Sequence, residues 1–298
     1  MKLPCLLPTT VVGSFPCVKG NGLSGIFDPY KKAVKFAVAE QIRAGVDIIS
    51  DGQVRADMVQ AFVSRLPGIS GNTVIGKICP ADKPITVGDT KYALTQTKYV
   101  KGILTGPCTL SYALRIETPQ YRNKEEAVLD LAHALHAEAK HVSDAGASII
   151  QVDEPILSTG AVPVDTAKKA LAIIFDGIKT PSCIHTCGIL GGIASEWTQL
   201  PVDILDFEYA VSLENLATLS RHDLRGKKIG CGCVKSSDPK VEDVSEIEKR
   251  ITACVDAFGK ENILIDPDCG LRMHTPETAY CKLAHMCEAV RNVREEIQ

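Results

Sequence analysis

At 298 residues, 45% hydrophobic and 23% charged, the chain can bury a large core, and its length suits one α/β barrel of about 250 residues or more. A formal net charge of −3 leaves no basic excess for phosphates or anionic lipid, so neither nucleic acid nor a membrane surface is expected as a partner. No apolar run reaches the roughly 20 residues of a membrane helix, and residues 1–8 are too short and Pro-broken for a signal peptide.

Eight short apolar runs succeed one another: residues 9–13, 46–50, 100–104, 148–152, 182–185, 202–205, 228–231 and 262–265. Each is the length of a buried strand. Helical stretches separate most of them. Val128, Leu131, Leu135 and Val142 form one stripe, and Val244, Ile247, Ile251, Cys254 and Phe258 step by three and four. The last stretch carries Ala279, Leu283, Met286, Val290 and Val293, and starts Thr275-Pro276-Glu277, an N-cap, a first-turn proline and an acid at the positive end of the helix dipole. Eight strands alternating with helices predict an α/β fold, a (β/α)8 TIM barrel, forming a single domain over residues 1–298. An open doubly wound sheet is the runner-up, but no Gly-x-Gly-x-x-Gly follows the first run. Residues 68–99 are rich in Gly, Pro, Lys and Thr and are expected as an insertion after strand two, a β-hairpin. Twelve cysteines, several inside strand-like runs, suit a reducing cytoplasm, with most of them buried as small apolar residues.

In such a barrel the chemistry gathers at the C-terminal ends of the strands, and the unusual residues fall there. They include Asp153-Glu154-Pro155, His185-Thr186-Cys187, Asp206-Phe207-Glu208 and Asp266-Pro267-Asp268-Cys269. His185 and Cys187 are two apart on one strand, so they share a face. An imidazole and a thiolate side by side are half of a tetrahedral zinc site, which Cys269 and Glu208 would complete. Cys231 and Cys233 form another same-face pair and read as packing beside glycines; Cys183 reads as core. Asp153 and Glu154 read either as a helix cap or rim ion pair, or as an anion for the ammonium of an amino-acid substrate.

These residues carry a resemblance. Residues 8–16 (Pro-Thr-Thr-Val-Val-Gly-Ser-Phe-Pro), Arg55-Ala56-Asp57-Met58-Val59, Leu104-Thr105-Gly106-Pro107-Cys108-Thr109, Ile150–Pro155, His185-Thr186-Cys187 and Pro267–Leu271 resemble the C-terminal catalytic barrel of cobalamin-independent methionine synthase, in order and over nearly the whole chain. The resemblance implies a zinc-dependent methyltransferase that converts homocysteine to methionine, with one Zn2+ per chain on His185, Cys187, Glu208 and Cys269. It implies that Asp153 meets the homocysteine ammonium and that the backbone of Val12, Gly13 and Ser14 meets its carboxylate. A family glutamate at the ammonium falls near Gln53, which keeps the hydrogen bond and loses the charge.

The chain departs from the long form of the family. Tyr112 stands where a pterin-stacking Trp is expected, the loop 234–239 lacks the histidine that protonates a folate leaving group, and the N-terminal half has no counterpart. A cobalt(I) leaving group needs no proton, so a methylcorrinoid donor is expected, either methylcobalamin or a corrinoid protein partner. Other readings are alkyl transfer to another thiol such as coenzyme M, a non-catalytic zinc or corrinoid-docking protein, and a metal-free barrel enzyme using Asp153 and Glu154 as acid and base.

Overall fold

The computed structural model describes residues 4–18 and 28–297; of the N-terminal stretch 1–8, residues 1–3 lie outside it. In chain order the elements are α1 (Lys31–Ala44), α2 (Gln60–Val63), β1 (Ile69–Ser70), β2 (Thr73–Val74), α3 (Val87–Leu94), β3 (Lys101–Thr105) and α4 (Pro107–Ala113). Then come β4 (Arg115–Ile116), α5 (Lys124–Asp144), β5 (Ile149–Asp153), a 3-10 turn (Pro155–Thr159), α6 (Val164–Ile174), β6 (Ser182–Thr186) and α7 (Ala194–Trp197). The chain ends with β7 (Ile204–Glu208), α8 (Glu214–Leu219), β8 (Lys228–Val234), α9 (Val244–Phe258), β9 (Ile263–Pro267) and α10 (Pro276–Glu296).

Six strands, β3, β5, β6, β7, β8 and β9, pair side by side, every pair parallel. Single parallel bridges close the ring. Thr9 bridges Ile265 of β9, Thr10 bridges Ile48, and Ile49 bridges Val100 next to β3. The first two expected strands are thus barrel positions reduced to bridges, and the eight-position closed barrel stands.

The long helices follow their apolar stripes. Val128, Leu131, Leu135 and Val142 of α5 are all buried, as are Ile247, Ile251, Cys254 and Phe258 of α9. Asn123 caps α5 by accepting from Glu126 N at 3.0 Å, and Thr275 caps α10 by accepting from Thr278 N at 3.2 Å ahead of Pro276. The segment 68–99 is more helical than its composition suggests. β1 and β2 pair antiparallel, Ile69 opposite Val74, but α3 follows, and β2 also pairs in parallel with β4.

The barrel interior is layered by the two-residue period of the strands. Ile48, Ile149, Cys183, Ile204 and Leu264 make an apolar floor, with Tyr99 packed against it. Two residues further along, Ser50, Lys101, Gln151, His185, Asp206 and Asp266 form a buried polar layer. Above it the strand ends carry Asp153, Cys187, Glu208 and Cys269.

Candidate metal centre

His185 on β6, Cys187 just beyond it and Cys269 just beyond β9 converge, each offering one ligand atom within 4.8 Å of the others. Same-face spacing brings the first two together, and ring closure brings the third. β6 and β7 run in register with His185 opposite Asp206, and Asp206 Oδ1 lies 3.0 Å from His185 Nδ1. An ionised carboxylate only accepts, so Nδ1 carries a proton toward Asp206, and Nε2 is the nitrogen turned to the two sulfurs. Nε2 is buried and has no hydrogen-bond partner among the described residues. Such an orphan costs roughly 1–3 kcal/mol, which an ion bound there would remove. One imidazole nitrogen and two sulfurs suit zinc, in a centre with an open fourth position.

The electrostatics agree. Burial alone would depress His185, but the Asp206 carboxylate outweighs it and pushes the imidazole well above its usual range. Burial pushes Asp206 up, yet His185 and Lys101 together hold it below the ordinary carboxylate value. Contact with Cys269 keeps the Cys187 thiol low, while that contact and burial push Cys269 up. A dication bound there would hold both sulfurs as thiolates.

Beneath the cluster, Lys101 Nζ donates to Val11 O at 2.9 Å and Gln151 Oε1 at 2.7 Å. It also stands 3.9 Å from Asp206 and 4.0 Å from Asp266. Burial and the like charge of Asp206 push Asp266 far above the usual range. Gly230 on β8 makes room for Asp206, since a Cβ there would sit 2.7 Å from the Asp206 carboxyl carbon.

The cluster opens into a cavity of about 560 Å³, which Val12, Ser14, Gln53 and Asp153 also line. Gln151 Nε2 donates to Asp153 Oδ1 at 2.7 Å and to Val12 O at 2.8 Å, tying the first loop to the strand-five carboxylate. The backbone N–H groups of Val12, Gly13 and Ser14 have no partner among the described residues. Gly13 lies just outside the large cavity. Its φ is +156°, and a Cβ there would meet Ile103 at 2.5 Å and Gln53 Oε1 at 2.8 Å, so glycine lets those side chains close in.

Two expectations need correction. Glu208 does not join the mutually close ligand group. Its Oε1 accepts from Ser212 Oγ at 2.6 Å and its Oε2 from Gly188 N at 3.2 Å. A carboxylate at a strand end satisfies nearby loop donors first. Asp153 and Glu154, read as one acidic pair, also part company, because successive strand residues face opposite ways. Asp153 faces the cavity. Glu154 turns out to cap α4, accepting from Cys108 N at 2.9 Å, Thr109 N at 2.8 Å and Thr109 Oγ1 at 2.7 Å, so the two cannot act as acid and base on one substrate.

Burial pushes Glu154 up to about 7 from 4.5, against its three donors. The folded value is the higher one, so the native state holds an extra proton between the two values. This contribution to stability is complete at pH below 4.5 and is lost as pH rises through the folded value. Glu154→Gln should therefore flatten the fall in unfolding temperature between about pH 5 and pH 8. Melting curves across that range check it, and an unchanged slope would assign the effect to other groups.

The competing cysteines are packing residues. Cys231 and Cys233 face outward from β8 toward Cys254 of α9, with Cys233 Sγ 3.9 Å from Cys254 Sγ, and burial pushes all three thiols up. Cys183 lies in the apolar floor. Lys101, Asp206 and Asp266 were not picked out as a set from the sequence. Each recurs two residues from an apolar floor position, but their meeting depends on strand register.

The family model "Cobalamin-independent synthase, Catalytic domain" matches residues 7–292. The chain is similar to proteins named methionine synthase from Methanocaldococcus jannaschii (40% identical, covering 96% of this chain and 99% of the relative) and Methanothermobacter thermautotrophicus (42%, covering 95% and 99%). One from Saccharolobus solfataricus is 32% identical, covering 100% of this chain and 97% of the relative. A solved B12-independent methionine synthase from a Shewanella species, in complex with selenomethionine, has the same fold, with a TM-score of 0.86 at 23% identity over 98% of this chain and 99% of that one. A family described as cobalamin-independent speaks against the methylcorrinoid donor and the corrinoid-protein partner expected from the sequence.

Proposed function

The chain belongs to the cobalamin-independent methionine synthase family, and on that premise we propose that it is a zinc-dependent methyltransferase acting on the thiol of homocysteine to form methionine. The observation that carries this reading is the buried Nε2 of His185, without a partner among the described residues, beside the paired thiols of Cys187 and Cys269. Those three residues would hold one Zn2+. When bound, zinc supplies the positive charge that keeps a substrate thiol, ordinarily with a pKa of about 8.5, in its nucleophilic thiolate form at neutral pH.

The chain's own residues set the rest. Asp206 holds His185 in the tautomer that leaves Nε2 free for the ion. Asp153, facing the cavity, meets the ammonium of the amino-acid substrate, and Gln53 adds a neutral hydrogen bond beside it. The backbone N–H groups of Val12, Gly13 and Ser14 meet its carboxylate. Glu208 stays at the rim, where Ser212 Oγ and Gly188 N hold its carboxylate. The cavity, at about 560 Å³, has room for the methyl donor beside homocysteine.

The test is transfer of a labelled methyl group to homocysteine, run in parallel with methyltetrahydrofolate and methylcobalamin, on zinc-loaded and chelator-stripped protein. Methionine should form with zinc and stop without it. Undiminished turnover after stripping would sink the zinc reading, and transfer from methylcobalamin alone would restore the corrinoid donor.

A further inference from the structure

Resting on the reading that the substrate is an amino-acid thiol, we propose that Lys101 and Gln151 are positioning residues that fix the ammonium seat and the carboxylate seat of that substrate to one another. Both lie buried in the polar layer beneath the site, Lys101 on β3 and Gln151 on β5. Neither lines the cavity, so both act through other groups.

The charge of Lys101 fixes the amide of Gln151. An ammonium only donates, so the atom that Lys101 Nζ meets at 2.7 Å is Oε1, and the NH2 end faces the other way. Both of its hydrogens are spent, one on Asp153 Oδ1 at 2.7 Å and one on Val12 O at 2.8 Å. Asp153 is held through Oδ1, and its Oδ2 has no partner among the described residues. Burial pushes Asp153 up to about 6, and His185, the Gln151 donor and Lys101 oppose it. They favour the anion that an ammonium needs.

The same two side chains orient the first loop. Lys101 Nζ donates to Val11 O at 2.9 Å, and Gln151 Nε2 donates to Val12 O. Both peptides are trans, and in a trans peptide the carbonyl and the next N–H point in opposite directions. Drawing these two carbonyls down into the polar layer therefore turns the N–H groups of Val12 and Gly13 out of it. One amide, oriented by one cation, sets Asp153 and the loop N–H groups as a unit, matched to an ammonium and a carboxylate borne on one carbon.

Calorimetric titration of the zinc-loaded protein tests this with three thiols: homocysteine, γ-mercaptobutanoate, which lacks the amino group, and γ-mercaptopropylamine, which lacks the carboxylate. Gln151→Glu keeps an acceptor for Lys101 and removes both donors. Gln151→Met, of similar length, removes them without adding a charge. Each should lower the preference for homocysteine over both analogues by about tenfold, within the range for losing a hydrogen bond to a charged group, at unchanged zinc content. Lys101→Met should move both preferences the same way. Asp153→Asn, by contrast, should lower only the preference over γ-mercaptobutanoate. Unchanged preferences in both Gln151 variants overturn the proposal. So does a weakening of all three thiols by one factor, which marks a merely structural role, and so does the loss of one preference alone, which ties Gln151 to a single seat. If the wild-type protein itself binds all three thiols equally, the amino-acid reading of the substrate has failed, and that outcome is separate from the failure of Lys101 and Gln151.

Discussion

Cys269→Ser should leave the purified protein with little or no bound zinc and lower thiol methylation on the order of a thousandfold, about 4 kcal/mol of barrel-held Lewis-acid assistance. His185 and Cys187 sit on one strand and would remain as a two-atom chelate. Cys269 comes from the other side of the ring closure, so its loss opens the set. A serine hydroxyl is a poor zinc ligand at neutral pH because it is not deprotonated there. Metal analysis of the purified variant and methionine formation in the same preparation measure both parts. Cys231→Ala is the control. It removes a buried thiol that packs on α9 and should keep its zinc. Full zinc in Cys269→Ser would show that this sulfur is not a ligand.

Asp206→Ala should weaken zinc binding by about 10- to 100-fold, the usual consequence of losing the carboxylate behind a metal-binding histidine. Without Asp206, nothing on β7 fixes which nitrogen of His185 carries the proton. The variant should nevertheless fold. A lone buried charge costs roughly 3–5 kcal/mol, and Lys101 loses a neighbour 3.9 Å away. Asp266, 4.0 Å from the same Nζ and pushed up by burial and by the charge of Asp206, then loses that like charge and can take over the pairing with Lys101. The metal-free variant should lose clearly less stability than a lone buried charge implies. Competition with a chromogenic chelator gives the affinity and chemical denaturation gives the stability. An unchanged zinc affinity would mean that packing alone orients His185.

The eight barrel positions were legible in the sequence because each is an apolar run of strand length, and the three long helices because their stripes step by three and four. The first two positions shrank to bridges, which no local pattern reveals, since pairing length depends on where the neighbours lie. Helix α3 was missed in a Gly- and Pro-rich stretch; Glu138 of α5 holds its N-terminal end by accepting from Ile85 N and Thr86 N at 2.8 and 2.7 Å, a contact made 52 and 53 residues away in sequence.

His185, Cys187 and Cys269 were nameable from residue type, strand-end position and the resemblance. The sequence by itself determined the alternation that closes the barrel and placed candidate metal ligands at its rim, because both follow from local periodicity and from residue chemistry. Only the tertiary structure decided which of them meet. Strand register put Asp206 against His185, sent Glu154 to α4 and left Glu208 with its loop, and ring closure brought Cys269 across to Cys187. Register and closure are set by the packing of the whole ring, so no stretch of chain shorter than the barrel contains them.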